Sequence, residues 1–406
     1  MSDNTSKKNI QAIRDIQHFG EEGGVTPVID HSCTSTFLNT EDMEKVFQGE
    51  LQGCYLYSRH SNPTVVAFAQ KLAAMEYTEA AFGVASGMAA ISCTVEQLLL
   101  NGGHMISSNT IYGGTWALFQ NILSKRPNIS ISFIDPDDTE AFASAIRPDT
   151  KFIYTETMSN PLLTISDIAG LSKVAKKHNI PLVVDNTFTP ILVSPKQLGA
   201  DIIVYSCTKY ISGSSDLIAG AICASQDFIS QLIDVNSGVA MLYGPVMDSH
   251  VAYQLYSRLD HLPLRMLAHA KATKFLVDKM LKEGIENIYY PGLPSHPQHQ
   301  LFQKMRNSPD YAYGGMITLD CGSLKKATAL AQLLQEKKFG LFAVSLGFSR
   351  TLLSCPSAST SSEIPEDEQK KIGLKPGLLR ISVGLIGDDE VLTKKFISSY
   401  NKVCRS

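Results

Sequence analysis

Between about Asn62 and Tyr243, short apolar runs alternate with stretches of helical spacing. The runs are Met105-Ile106-Ser107, Ile129 to Ile134, Phe152-Ile153-Tyr154, Leu182-Val183-Val184, Ile202-Ile203-Val204 and Ile218 to Ile222. Between two of them, Ile168, Leu171, Val174 and Ala175 recur at helical spacing. Lys176-Lys177-His178 follows at the C-terminal end, where cations are favoured. Such alternation predicts a mostly parallel sheet covered by helices, and so an α/β large domain over residues 61–247.

The pattern changes on either side of that region. Residues 1–60 are irregular and rich in Ser, Thr and Gly, without clean alternation, and read as an N-terminal arm that packs on something else. Residues 248–406 open with a long helical stretch from Ala252 to Lys282. A strand follows at Gly315 to Leu319, then a helix at Ala327 to Glu336 and a last strand at Leu379 to Val383. That order predicts a smaller C-terminal α+β domain. No repeats occur, and the one compositionally biased stretch runs from Ser354 to Ser362.

Composition narrows the class. The 406 residues suffice for two domains, and 44% hydrophobic with 18% charged content is ordinary for a globular chain. A formal charge of -3, with no basic stripe, argues against a nucleic-acid partner. Cys33, Cys54, Cys93, Cys207, Cys223, Cys321, Cys355 and Cys404 are scattered without Cys-x-x-Cys spacing, which favours reduced thiols over a disulfide framework or a metal site. The polar start, Met1 to Lys8, lacks the apolar stretch of a signal peptide, and no apolar run is long enough to span a bilayer. A cytoplasmic protein without a membrane partner is expected.

Candidate chemistry sits at two neighbouring strand ends. The run Pro181-Leu182-Val183-Val184 ends on Asp185, and Asp201 to Tyr205 is followed by Ser206-Cys207-Thr208-Lys209. A lysine and a carboxylate so placed can hold an aldehyde cofactor covalently and keep its ring nitrogen protonated, which suggests pyridoxal 5'-phosphate. Ser206 and Thr208 alternate with Cys207, so their hydroxyls can point to one side and donate to the cofactor phosphate. Either residue of the Lys209/Asp185 pair alone reads better as a solvated lysine or a turn aspartate; the two motifs together do not.

Seven segments then resemble the pyridoxal-phosphate enzymes of cysteine and methionine metabolism, the trans-sulfuration enzymes. They are Tyr57-Ser58-Arg59-x-x-Asn62-Pro63-Thr64, Ala85-Ser86-Gly87-Met88-Ala89-Ala90, Tyr112-Gly113-Gly114-Thr115, Asp185-Asn186-Thr187-Phe188, Ser206-x-Thr208-Lys209-Tyr210, Ser345-Leu346-Gly347 and Leu379-Arg380-x-Ser382-Val383-Gly384. They occur in the family's order across nearly the whole chain. The resemblance implies an aspartate-aminotransferase-like fold of type I and a homotetramer of two tight dimers. It makes Ser86, Gly87 and Met88 a phosphate cradle, Thr187 a cofactor contact, and Tyr57 and Arg59 residues supplied to a neighbouring subunit's site. Tyr112 becomes the ring-stacking tyrosine that protonates the leaving sulfur. Arg380 becomes the fork for the substrate α-carboxylate, helped by Asn160 and Ser345, while Glu156 is a family position of structural character.

Departures from the family pattern bear on substrate. Members that handle cystathionine usually carry an arginine two positions after Tyr-Gly-Gly-Thr, where this chain has Ala117. That favours a small or apolar tail, as in methionine. Gly114 stands where methionine γ-lyases usually have cysteine, Arg350 where the pattern has glutamate, and Ser214 where a histidine is frequent. The segment Asp185 to Pro190 is one residue shorter than usual. The leading expectation is γ-elimination of L-methionine or homocysteine to 2-oxobutanoate, ammonia and a thiol. Cystathionine γ- or β-lyase comes next, then O-acylhomoserine sulfhydrylase or cystathionine γ-synthase.

Overall fold

The computed structural model describes the backbone of residues 3–16, 24–48, 50, 51 and 54–405, with side chains from Lys8 onward. Seven strands form the larger sheet: β1 (Ala80–Val84), β2 (Gly103–Ser108), β3 (Ile129–Ile134), β4 (Thr150–Glu156), β5 (Leu182–Asp185), β6 (Ile202–Tyr205) and β7 (Gly220–Ala224). Their spatial order is β1-β7-β6-β5-β4-β2-β3, and β7 runs antiparallel to both of its neighbours. Every other pairing is parallel.

Period-two alternation explains why these runs are apolar throughout. Leu182, Val184, Ile203 and Ile153 bury on one face of the sheet. Val183, Val204, Ile202 and Phe152 bury in a separate cluster on the other. Each fully buried Val, Leu or Ile contributes about 1.5–3 kcal/mol by leaving water, so both faces hold the strands in register. The helix Ile168–Lys177 covers one face through buried Ile168, Leu171 and Ala175, with Asp167 capping it by accepting from the Gly170 N–H.

A five-stranded sheet forms a second layer: β8 (Ile288–Tyr289), β9 (Met316–Asp320), β10 (Leu341–Phe342), β11 (Leu352–Ser354) and β12 (Leu378–Ser382), in the order β10-β11-β12-β9-β8. The helices Leu324–Glu336 and Asp389–Cys404 accompany it, sharing a core that includes Leu330, Phe396 and Ile381. Among the described residues no helix is long and apolar enough to cross a membrane.

Three expectations are corrected. The stretch from Ala252 to Lys282 is two helices, Ser249–Asp260 and Leu262–Lys282, separated at His261; Pro263 starts the second, where its missing N–H costs nothing. The strand expected from Ile218 begins only at Gly220, because Ile218 is exposed and lines a cavity instead. The start of the chain is not uniformly irregular. Residues Asp3–Asp15 form a helix that packs on this same chain, with buried Asn9 donating to the Met75 carbonyl at 2.8 Å and to Ser194 Oγ at 3.0 Å.

Candidate active site

The carboxyl ends of β4, β5 and β6 open into a cavity of about 280 Å³, the place where open α/β sheets receive ligands. Asp185 ends β5 and Lys209 follows β6 by four residues, and both line this cavity. Ser86, Gly87, Met88, Thr187, Ser206 and Thr208 line it as well. So do Tyr112, Asn160 and Arg380.

At one end lies the start of the helix Gly87–Leu98. Ser86 caps it, accepting the Ala89 N–H at 3.1 Å. The free N–H groups and the positive helix end favour an anion there. Gly87 is required by a close approach: a Cβ on it would come within 2.6 Å of Ser206 Cβ. The Ser206 N–H donates to Thr187 Oγ1 at 2.9 Å, tying the ends of β5 and β6 together. Thr208 differs from the simple expectation of a free hydroxyl. Its Oγ1 donates to the Ala219 carbonyl at 3.2 Å and accepts the Ala219 N–H at 3.0 Å, which fixes the Lys209 turn against the entrance to β7.

Asp185 Oδ1 accepts the Thr187 N–H at 2.9 Å. Burial raises the Asp185 carboxyl above the ordinary aspartate range, with the Thr187 hydrogen bonds opposing. No ion pair reaches it among the described residues. Directly across the strand register stands Glu156, 5% exposed, also raised by burial and then by the charge of Asp185. Glu156 is more than a spacer: its Oε1 accepts the Tyr112 N–H at 2.7 Å and its Oε2 the Asn160 N–H at 3.2 Å. A buried carboxyl pair without a cation is a costly arrangement, and a protonated ring nitrogen beside Asp185 would relieve it.

Lys209 Nζ donates to Ser345 Oγ at 3.4 Å. Burial, and then the Arg380 charge, lower its pKa to about 8, which raises the share of free amine available as nucleophile or base. Gly347, at φ +74, lets the segment after Ser345 pass within contact of the Lys209-Tyr210 backbone; a Cβ there would meet Tyr210 N at 2.6 Å. Arg380 lies on β12 and is only 2% exposed. It donates to Asn160 Oδ1 at 2.9 Å and to the Ser345 carbonyl at 3.1 Å. Both partners are neutral, so the guanidinium charge is unbalanced, and burial lowers its pKa to about 10. An incoming carboxylate would supply the missing anion.

Tyr57 and Arg59 are placed elsewhere. Neither lines this chain's cavity; Tyr57 is 49% exposed, and Arg59 donates to the Met241 carbonyl at 2.9 Å while lying over the Tyr57 ring. The sequence reading left out the apolar walls supplied by Met158, Phe188, Ile218, Val344 and Leu346. It also left out Thr360, through which the biased Ser354 to Ser362 stretch reaches the cavity. Glu363, just beyond, packs on Gly113: its carboxylate would lie 2.7 Å from a Cβ at that glycine.

The residues fit pyridoxal phosphate by an anion cradle with no room for a Cβ, an uncompensated carboxyl pair, and a lysine held partly as free amine. Comparison with known proteins agrees. Residues 9–394 match the Cys/Met metabolism PLP-dependent enzyme family. A methionine γ-lyase of Arabidopsis thaliana is 43% identical over 395 residues, covering 96% of this chain and 89% of that protein. A cystathionine γ-lyase of Bacillus subtilis is 36% identical over 341 residues, covering 83% of this chain and 86% of that one. The crystal structure of cystathionine γ-lyase from Lactobacillus plantarum complexed with L-serine superposes with a TM-score of 0.86 at 29% identity, covering 98% of this chain and 99% of that chain. With its cofactor pocket and its sequence in agreement from end to end, the chain belongs to the Cys/Met metabolism PLP-dependent enzymes.

Proposed function

We propose that this enzyme is a carbon-sulfur lyase that takes L-methionine, with homocysteine as a related substrate, and water to 2-oxobutanoate, ammonia and a thiol. The observation that carries this reading is the charge pattern of the cavity. Arg380 and Lys209 are the only cationic linings that the chain supplies to its own cavity among the described residues, and Ile218, Val344 and Leu346 supply apolar wall. One guanidinium serves one carboxylate, so the site suits an amino acid whose tail is uncharged. The similarity to a methionine γ-lyase across 96% of the chain supports the same choice.

Pyridoxal phosphate, when bound, supplies the electron sink that makes the substrate's Cα and Cβ protons removable. The chain's residues take the remaining tasks. Arg380, with Asn160 and Ser345 beside it, holds the α-carboxylate and fixes which bond faces Lys209. Lys209 Nζ removes the Cα proton and carries it onward; its lowered pKa of about 8 makes it a competent base near neutrality. Tyr112 gives a proton to the departing sulfur, and burial with the nearby Glu363 charge keeps its phenol protonated. Asp185 would keep the ring nitrogen protonated, Glu156 steadies Tyr112 and Asn160, and Ser86, Gly87, Met88, Thr187, Ser206 and Thr208 would hold the phosphate.

The enzyme acts in this reading as a cytoplasmic homotetramer of two tight dimers, with residues 1–60 as the arm, 61–247 as the cofactor domain and 248–406 as the α+β domain. Tyr57 and Arg59 serve the neighbouring subunit's site, supported by their exposure and by their not lining their own chain's cavity. Cystathionine cleavage is the second reading, favoured by the relative from Bacillus subtilis. A panel of methionine, homocysteine, cysteine, cystathionine and O-acetylhomoserine, assayed for keto acid and thiol, separates lyase from replacement chemistry. A Lys209→Ala variant is expected to lose turnover by about 10²–10⁴-fold or more.

A further inference from the structure

A chain of buried polar side chains runs behind the turn that carries Asp185. Asn186, the next residue, is fully buried, and both hydrogens of its amide are used: Nδ2 donates to Tyr205 Oη at 2.7 Å and to the Val193 carbonyl at 3.1 Å. So are both lone pairs of Oδ1, which accepts from Thr157 Oγ1 at 2.9 Å and from Thr189 Oγ1 at 2.6 Å. Its backbone is occupied too, the N–H donating to the Val204 carbonyl at 3.1 Å and the carbonyl accepting the Thr189 N–H at 3.1 Å. Tyr205, the buried last residue of β6, extends the chain: its hydroxyl accepts from Asn186 and donates to Glu76 Oε1. Glu76 is fully buried at the end of the helix Pro63–Glu76. None of the three lines the cavity.

We propose, resting on the role given above to Asp185, that Glu76, Tyr205 and Asn186 are positioning residues, a strut by which the helix Pro63–Glu76 holds the cofactor's ring-nitrogen partner in place. A carboxylate serves a ring nitrogen only if it is kept within about 0.5 Å of its productive position. Asp185 is tied at its side chain by the Thr187 N–H and at its carbonyl by the Thr157 N–H, at 2.9 and 3.0 Å. Asn186 fixes the next peptide from behind, joining the ends of β4, β5 and β6 to one helix.

The surroundings show why the strut is polar. Tyr205 packs in an apolar cluster with Phe68, Leu72 and Val193, where an apolar trio would fill the same space at less cost in desolvation. Hydrogen bonds add direction, since each fixes an angle as well as a distance. Glu76 closes the chain with one oxygen: Oε2 is buried without a partner among the described residues, and burial pushes the carboxyl up to about 7 against the bonds from Tyr205 and Asn186. A proton kept on Glu76 spares the core behind Asp185 a further negative charge.

The experiment compares cofactor-loaded Tyr205→Phe, Glu76→Leu, Glu76→Gln and Asp185→Asn with the wild type. Three quantities are read: kcat, the pH midpoint at which the bound cofactor's visible absorbance changes form, and the thermal midpoint of the apoenzyme. Tyr205→Phe keeps the ring in its apolar surroundings and removes only the hydroxyl. It should lower kcat by about 10–100-fold and move the absorbance midpoint in the same direction as Asp185→Asn, by a smaller amount. Glu76→Leu should do the same, and Glu76→Gln, which keeps an acceptor for the Tyr205 hydroxyl, should return both quantities toward the wild type. A lower thermal midpoint in Tyr205→Phe, with kcat and the absorbance midpoint at wild-type values while Asp185→Asn moves them, would reduce the chain to packing and overturn the proposal. An absorbance midpoint unmoved in Asp185→Asn would remove the role of Asp185 itself, and the strut with it.

Discussion

Glu156 stands opposite Asp185 in the register of two neighbouring parallel strands, so the sheet delivers two carboxyl groups to one wall of the cavity. Their tasks are separated by what they hold. Asp185 keeps an oxygen for the cavity, whereas both Glu156 oxygens accept backbone N–H groups, from Tyr112 and Asn160. Glu156 is thus a positioning residue, and Asn160 passes its order on to Arg380.

Glu156→Ala should therefore damage substrate binding without touching substrate. Two buried N–H groups lose their acceptor, at about 1–3 kcal/mol each, and the Tyr112 and Asn160 loops shift. The expected outcome is a fall in kcat/KM of about 10-fold or more, with largely retained cofactor, read by steady-state kinetics and by cofactor absorbance.

Gly87→Ala tests the phosphate cradle. An added Cβ would sit 2.6 Å from Ser206 Cβ and 2.8 Å from Ser206 Cα, where part of the obstacle is backbone. Separation of the two segments should cost about 1–3 kcal/mol of stability. Cofactor binding should weaken accordingly, measured by titrating apoenzyme with pyridoxal phosphate.

Arg380→Lys keeps the charge and removes the fork. Lysine cannot bond Asn160 Oδ1, the Ser345 carbonyl and a carboxylate in one plane as the guanidinium can. KM for the amino acid should rise by about 10–100-fold, equivalent to roughly 1.4–2.8 kcal/mol. An unchanged KM would remove Arg380 from substrate binding.

The pH profile reports on Tyr112. Burial raises its phenol pKa above the ordinary value, Glu363 raises it further, Arg380 lowers it and Glu156 raises it again. The phenol must be protonated to donate, so activity is kept below its pKa and lost as pH rises through it. Glu363→Gln removes a charge that favours the protonated form, and the alkaline limb of kcat/KM should move to lower pH. A limb that stays in place would separate Glu363 from Tyr112.

Much of this was legible in the chain because the site hangs on strand ends. The runs ending at Asp185 and Tyr205 are apolar on both faces, and a buried strand can only release its polar residues at its end. Other elements carried weak signals. β1, Ala80-Ala81-Phe82-Gly83-Val84, has three small residues of little strand preference, Ala80, Ala81 and Gly83, among its five and gains its place by pairing with β7. The break at His261 is marked only by Pro263, since the residues on both sides keep helical spacing. Glu156 resembles any strand-terminal acid until the fold brings Tyr112 and Asn160 to it. Contacts such as that between Asn9 and Ser194 join distant positions and leave no local pattern.

The most direct measurement is the product analysis of cofactor-loaded enzyme given L-methionine or cystathionine in separate reactions. Methionine should yield 2-oxobutanoate and methanethiol in equal amounts, with the higher kcat/KM of the two substrates. Efficient splitting of cystathionine with no methanethiol from methionine would contradict the assignment of an uncharged-tail lyase.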